Sequence, residues 1–408
     1  MKINSLPGLP GLRSSYNWLT ARLSRVTSSG DLIPEVDGLR FIAIGIVVFH
    51  HLVSIYLPVS GRVQQIRTTA DWFAAVDQSW LIPLAYCGHF GVNLFFVISG
   101  FILALPFAKR AFNDLPAPDL KSYYLRRVTR IEPPYVICLL LLFFFHWLDK
   151  GDAVSWIPNL LASIFYVHGM FYGHESVVNG VAWSLEIEIQ FYLMVPLLVR
   201  IFRIRSARTR RTIMLTTMIL IGLLSQWVIY PYAPAQLRMS LFNFLHYFMA
   251  GFLLADFYLN YAARESEKSW KWDVVTVISA LAIVGTLLRF GHFYFLLPLV
   301  IAAMYTGCYL GRWSNAFVRL RWVVIVGGMC YTIYLYHVTI IARIFISTAS
   351  WGSLARPLSL DFLLQSLIVF PLLLVICSWL FVFTEKPFMR WSLSTRRPVT
   401  VTNAIKAD

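Results

Sequence analysis

Ten stretches of this chain stay apolar for about as long as a bilayer's hydrocarbon core is thick. They lie at about 40–59, 84–107, 132–148, 182–199, 212–230, 239–257, 273–290, 293–311, 322–346 and 362–383. A helix needs ~20 such residues to cross a core of about 30 Å. Composition agrees, because 58% of the residues are hydrophobic and only 13% charged, against about 25% charged in a soluble domain. The expected fold class is therefore all-α, a polytopic transmembrane helix bundle. A single membrane domain, 37–391, follows a polar arm, 1–36, and precedes a tail, 392–408. No signal-peptide core precedes Asp37, so the arm reads as a loose cytoplasmic segment with a short amphipathic piece around Tyr16–Leu23.

An eleventh apolar segment, 155–172, is ambiguous by hydropathy, and charge decides it. Six arginines fall in 200–211, directly after the fourth span, so that loop belongs in the cytoplasm. With the N-terminus also inside, 155–172 must fail to cross and becomes a re-entrant or interfacial piece. Ten spans with both termini cytoplasmic then put 28 of the 35 lysines and arginines on the inner side. The net charge of +15 is thus topological, and nucleic acid is not an expected partner. Cys87, Cys138, Cys308, Cys330 and Cys377 lie in or beside apolar spans without metal-site spacing, so no metal is expected. No internal repeat stands out, which weakly disfavours an inverted-repeat transporter.

The first span holds the chain's most informative stretch. It opens Asp37-Gly38-Leu39-Arg40 and carries His50 and His51 in mid-span. Eleven residues of helix place His51 roughly 16 Å deeper than Arg40. At that depth ionisable groups are expensive and usually serve a pathway or a reaction. One reading makes His51 a general base in a cavity with Arg40 at its cytoplasmic mouth. The plainer one makes the histidine a packing hydrogen bonder and Arg40 a snorkelling boundary residue. Because helix neighbours point ~100° apart, at most one of His50 and His51 should face the site.

Three further stretches carry chemistry. Arg127 and Arg130, at i and i+3, share a helix face and suit a pyrophosphate, although positive-inside anchoring explains a generic arginine pair as well. Glu186 and Glu188 are about 200° apart on their helix, so they form no acid–base dyad. Glu188 shares its face with Ser184 and Tyr192, and Glu186 goes with Gln190. Tyr334 and His337 share a face of the ninth span, where a packed histidine is the plainer reading.

These stretches, taken in order, resemble the acyltransferase-3 family of bacterial integral-membrane O-acyltransferases. The likeness covers about 37–391 in five blocks: VDGLRFIAIGIVVFHH, GHFGVNLFFVISGFIL, YLRRVTRIEPPY, WSLEIEIQFYLMVPLL, and CYTIYLYH with FTEKP. The resemblance places the family's Arg-x10-His motif on Arg40 and His51, its RxxR motif on Arg127 and Arg130, and its acid on Glu188. The chain departs from the pattern at Asn93, Ile189 and Cys330, where many relatives carry Asp, Glu and Ser. It would be the stand-alone form, without a C-terminal SGNH domain.

What the resemblance implies is acyl transfer across the bacterial inner membrane. Acyl-CoA, with acetyl-CoA the expected donor, is a co-substrate, and no cofactor is bound. Its phosphates would rest on Arg127 and Arg130, and His51 would take the proton of an acceptor hydroxyl on a cell-surface glycan or its lipid-linked precursor. A transient acyl-histidine stands as an alternative. Glu188, Tyr334, His337, Ser184 and Tyr192 are candidates to orient the base or the acceptor. Partners would be the bilayer, the saccharide acceptor and polysaccharide-biosynthesis or export proteins. Alternatives are a macrolide-like acceptor, a proton-coupled transporter or flippase, or a fold kept for regulation alone. Acceptor choice belongs to the outer loops 60–83, 149–181 and 347–361. Trp72, Trp80, Trp156, Phe171 and Tyr172 there suit sugar stacking, or more plainly an interfacial belt.

Overall fold

The computed structural model describes residues 18, 20–26, 33–63, 80–262, 267–352 and 354–394. All regular structure among them is helical. Among the described residues nine helical stretches are long and apolar enough to cross a membrane: Pro34–Val59, Leu81–Phe112, Leu120–Lys150, Ala207–Tyr232, Ala235–Tyr261, Trp270–Leu288, Gly291–Leu310, Cys330–Trp351 and Leu358–Arg390. Their outward faces carry exposed Leu140, Phe144, Leu220, Leu281, Leu367 and Trp379. Leucines and aromatics left bare in mid-helix are what a hydrocarbon solvent allows. The protein is a polytopic transmembrane bundle.

The site depends on α1 (Pro34–Val59), α2 (Leu81–Cys87), α3 (Gly91–Phe112), α4 (Leu120–Lys150), the short α5 (Ile157–Ile164) and α6 (His168–Tyr172), and α7 (Trp183–Leu198). Behind them follow α8 (Ala207–Leu224), α9 (Leu241–Phe257), α10 (Trp270–Leu288), α11 (Leu297–Leu310), α12 (Arg321–Gly328), α13 (Cys330–Thr348), α14 (Leu358–Leu380) and α15 (Lys386–Ser394). Small residues let backbones close up, as membrane helices without a hydrophobic drive between them require. A Cβ on Gly100 of α3 would lie 2.2 Å from the Phe248 carbonyl oxygen of α9, and one on Gly251 would lie 2.3 Å from that of Val97.

Three expectations are corrected. The span expected at 182–199 is a sixteen-residue helix, α7, shorter than the nine and extended by 3-10 turns at 180–182 and 199–203. The span expected at 322–346 is broken at Met329 into α12 and α13. Gly327 and Gly328 end α12, and a Cβ on Gly327 would lie 1.7 Å from the Asp37 carbonyl oxygen. The expected loose arm is tied down where it is described. The Lys386 ammonium donates to the carbonyls of Ala21 (2.8 Å) and Arg22 (2.6 Å), and Arg321 donates to the Thr20 hydroxyl. The rest of the arm, Trp72 and the tail beyond Ser394 lie outside the described residues.

Segment 155–172 forms α5 and α6, hinged at Tyr166, whose φ is +58°. Its longest helical run, Val154–Ile164, rises roughly 16 Å, about half a hydrocarbon core. It is held against α4, where Tyr135 stacks on Tyr166 (4.8 Å between rings) and donates to the Ser163 carbonyl at 3.0 Å. The buried core falls into two clusters, a larger one built on α3, α4, α7, α9 and α11 and a smaller one on α1, α2, α13 and α14. Phe95 and Tyr334 pack against both clusters, and both line the cavity described next.

Candidate active site

Arg40, Arg127, Arg130, Ser184, Glu188, Tyr192 and Tyr334, brought together from α1, α4, α7 and α13, line one cavity of about 120 Å³. Each arrives there for a local reason. Asp119 caps α4 by accepting from the Ser122 amide at 2.8 Å, and the Ser122 bonds hold its carboxyl below the usual range. Helix therefore starts early enough to carry Arg127 and Arg130 one turn apart. On α7 the 3.6-residue repeat stacks Ser184, Glu188 and Tyr192 on the cavity side. Tyr192 donates to Glu188 at 2.5 Å, and the Ser99 hydroxyl donates to the same carboxylate oxygen.

Glu186 faces elsewhere, as its angle on the helix requires. Its carboxylate accepts the Gly169 amide at 2.8 Å and so pins α6, while the Gln190 side-chain oxygen accepts the Leu241 amide at 2.8 Å. Tyr334 donates to the Val181 carbonyl, and its oxygen lies 3.0 Å from the Ser184 hydroxyl.

The arginines fall into two kinds. Arg40 is fixed: its guanidinium bonds Asp37 at 2.7 Å, and Arg25 reaches the same oxygen at 2.7 Å. Arg127 lies over the rings of Tyr123 (5.9 Å) and Tyr192 (5.7 Å). Neither Arg127 nor Arg130 is in an ion pair among the described residues. Two guanidiniums lining a cavity and held in no ion pair among the described residues suit an incoming anion such as a pyrophosphate, with Glu188 and Glu385 in the same lining.

Four contributors were given no role from the sequence. Asp37 organises two arginines, Ser99 holds Glu188, and Cys330 and Glu385 line the cavity. Glu385 ends a π-helical turn, 381–385, and accepts from the Thr332 amide at 3.2 Å and hydroxyl at 2.5 Å. Such widened turns often sit at functional sites. The signals were present in the Asp-Gly-Leu-Arg opening and the Thr-Glu-Lys-Pro ending.

His51 and His337 do not line this cavity. They meet deeper along the same two helices, with ring centroids 5.0 Å apart. His337 is buried, and its Nδ1 faces the carbonyls of Ile333 (3.0 Å) and Tyr334 (2.8 Å). Carbonyls only accept, so Nδ1 carries the proton and Nε2 is a lone-pair acceptor. That Nε2 is buried and has no hydrogen-bond partner among the described residues. His50, by contrast, is spent on packing, with Nδ1 2.9 Å from the Ala85 carbonyl oxygen of α2. One of the two adjacent histidines thus faces the imidazole partner.

The acyltransferase domain of the acyltransferase-3 family matches residues 33–382. This chain belongs to that family. It is 24% identical over 336 residues to a protein of Staphylococcus aureus strain COL whose name marks it as a putative O-acetyltransferase, covering 76% of this chain and 51% of that one. It is 23% identical over 334 residues to O-acetyltransferase OatA of Staphylococcus aureus strain NCTC 8325, covering 76% and 50%. The chain spans about half the length of the curated relatives it matches. No solved structure matches it significantly.

Proposed function

We propose that this acyltransferase-3 protein moves an acetyl group from acetyl-CoA to a hydroxyl of a cell-surface glycan or its lipid-linked precursor, in a bacterial inner membrane. The observation that carries the reading is the arrangement along α1 and α13: an anion-ready cavity at Arg40, Arg127 and Arg130, and an imidazole pair deeper on the same helices. The donor's pyrophosphate binds Arg127 and Arg130 at the cytoplasmic mouth. Its pantetheine arm runs past Tyr334, one turn before His337, and brings the thioester to His51.

Chemistry then follows from proton accounting. His51 takes the acceptor's hydroxyl proton as the oxygen attacks the thioester carbonyl. The tetrahedral intermediate collapses, the carbon–sulfur bond breaks, and the imidazolium returns the proton to the leaving thiolate as CoA-SH. His337, its tautomer set by two carbonyls and its ring 5.0 Å from that of His51, is a positioning residue. Glu188 holds Tyr192, on which Arg127 rests, and so shapes the donor's path.

The test follows labelled acetyl groups from acetyl-CoA into an alkali-labile glycan fraction of membranes carrying the full chain. Wild type transfers label, and His51→Ala and Arg127→Ala lose it at equal protein level. Unchanged labelling in His51→Ala removes the proposed base.

A further inference from the structure

A second concavity, of about 1,080 Å³, opens at the same end of the bundle, between the loop 113–118 that joins α3 to α4 and the turn 199–203 that follows α7. Arg200, Arg203 and Arg205 stand on one wall, and Phe112, Leu115 and Pro118 contribute apolar surface. Arg210 is already committed, bonded to Asp256 with its guanidinium 4.4 Å from the Phe112 ring centre. Arg205 stands 3.5 Å from Asp114, both well exposed. Arg200 and Arg203 are in no ion pair among the described residues. Anchoring at a membrane surface explains arginines, but it does not call for a cleft as large as a small-molecule site.

This cleft adjoins the active-site cavity. Tyr192 lines the cavity, and the next residue, Leu193, lines the cleft. Between the two lies Tyr123, whose hydroxyl donates to the Tyr192 carbonyl at 3.2 Å. Its ring faces Arg127 on one side and sits 5.7 Å from that of Phe107, a cleft residue, on the other. Arg200 is eight residues beyond Tyr192, about 12 Å along the helix axis. A ligand with a pyrophosphate at Arg127 therefore has a cationic, partly apolar recess close by.

We infer that the cleft holds the 3′-phosphoadenosine end of the CoA donor, with the 3′-phosphate on Arg200 and Arg203 and the base against the Leu115 and Pro118 wall. This rests on the reading that acyl-CoA is the donor. It adds a recognition site for the part of the donor that takes no part in the chemistry.

The test compares acetyl-CoA with S-acetylpantetheine, which lacks the nucleotide, in the purified full-length protein in nanodiscs. In an Arg200→Ala, Arg203→Ala double variant the preference in kcat/KM for acetyl-CoA over S-acetylpantetheine falls roughly tenfold, through KM, as loss of charge-assisted bonds requires. Adenosine 3′,5′-bisphosphate competes with acetyl-CoA in wild type and loses potency in the variant by a similar factor. An unchanged preference with unchanged competition overturns the inference while leaving the donor reading intact. If both donors lose equally and anionic lipid in the nanodisc restores them, the arginines serve a lipid headgroup and the inference falls. If wild type transfers from no acyl-CoA, the donor reading fails and the cleft assignment fails with it.

Discussion

Each end of α1 brings a buried aspartate against two arginines, and the two clusters do different work. At the first end Asp37 bonds Arg25 and Arg40 beside a cavity into which Arg127 and Arg130 face without ion-pair partners among the described residues. At the far end Asp361 of α14 takes a hydrogen bond from Tyr56, an ion pair from Arg356 at 3.1 Å and a longer one from Arg62 at 3.9 Å. Arg62 also donates to the Arg356 carbonyl at 2.7 Å, closing the group on itself. The lesson is that an arginine–aspartate motif near a membrane face says little alone. The proposed binding end differs from the latch in that Arg127 and Arg130 share open space with Glu188 and Glu385 yet stand in no ion pair among the described residues.

Breaking each cluster sharpens that contrast. The largest effect belongs to chemistry between the two ends: His51→Ala lowers turnover by about 10²–10⁴-fold, measured as acetyl transfer per folded protein, whereas His50→Asn retains transfer. Next, Asp361→Ala leaves two arginines without their buried anion. It destabilises the protein by about 3 kcal/mol, seen as earlier thermal unfolding in detergent, while the surviving folded fraction keeps its kcat/KM. A smaller change is expected from Asp37→Asn, which releases Arg40 and Arg25 and raises KM for acetyl-CoA roughly tenfold, about 1.4 kcal/mol, with kcat less affected. Smallest is Tyr334→Phe, which removes a hydroxyl bonded to Val181 and Ser184 and costs about 1 kcal/mol in stability, read as a modest Tm shift. Equal losses of stability from Asp37→Asn and Asp361→Ala, with no change in KM, would erase the distinction between the ends.

Much of this was legible in the sequence because it follows from periodicity. The runs of apolar residues, the opposite faces of Glu186 and Glu188, and the limit that at most one of His50 and His51 faces the site are properties of single helices, whereas the choice of His51 came from the resemblance. What was not legible depends on contacts between helices. The break at Met329 exists because Gly327 must meet the Asp37 carbonyl of α1, a neighbour about 290 residues away in the chain. Asp37 and Glu385 looked like members of short motifs, and only their convergence from opposite ends of the chain shows what they hold. Residues 20–26 read as a polar arm because their tethers, on Lys386, Arg321 and Asp37, come from elsewhere in the fold. His51 was expected inside the arginine cavity. It lies beyond it, because a helix rises only about 1.5 Å per residue and the eleven residues after Arg40 carry it past the lining at Tyr334 to the neighbourhood of His337.

That separation of donor binding from proton transfer is the core of the account, and equilibrium binding tests it most directly. CoA binding to the purified full-length protein would be measured by calorimetry for wild type, His51→Ala and an Arg127→Ala, Arg130→Ala double variant. The account predicts that His51→Ala binds CoA as wild type does while transferring no acetyl, and that the double variant binds at least about tenfold more weakly, given charge-assisted bonds worth ~1.5–3 kcal/mol each. Wild-type CoA affinity in the arginine variant, or its loss in His51→Ala, would contradict it.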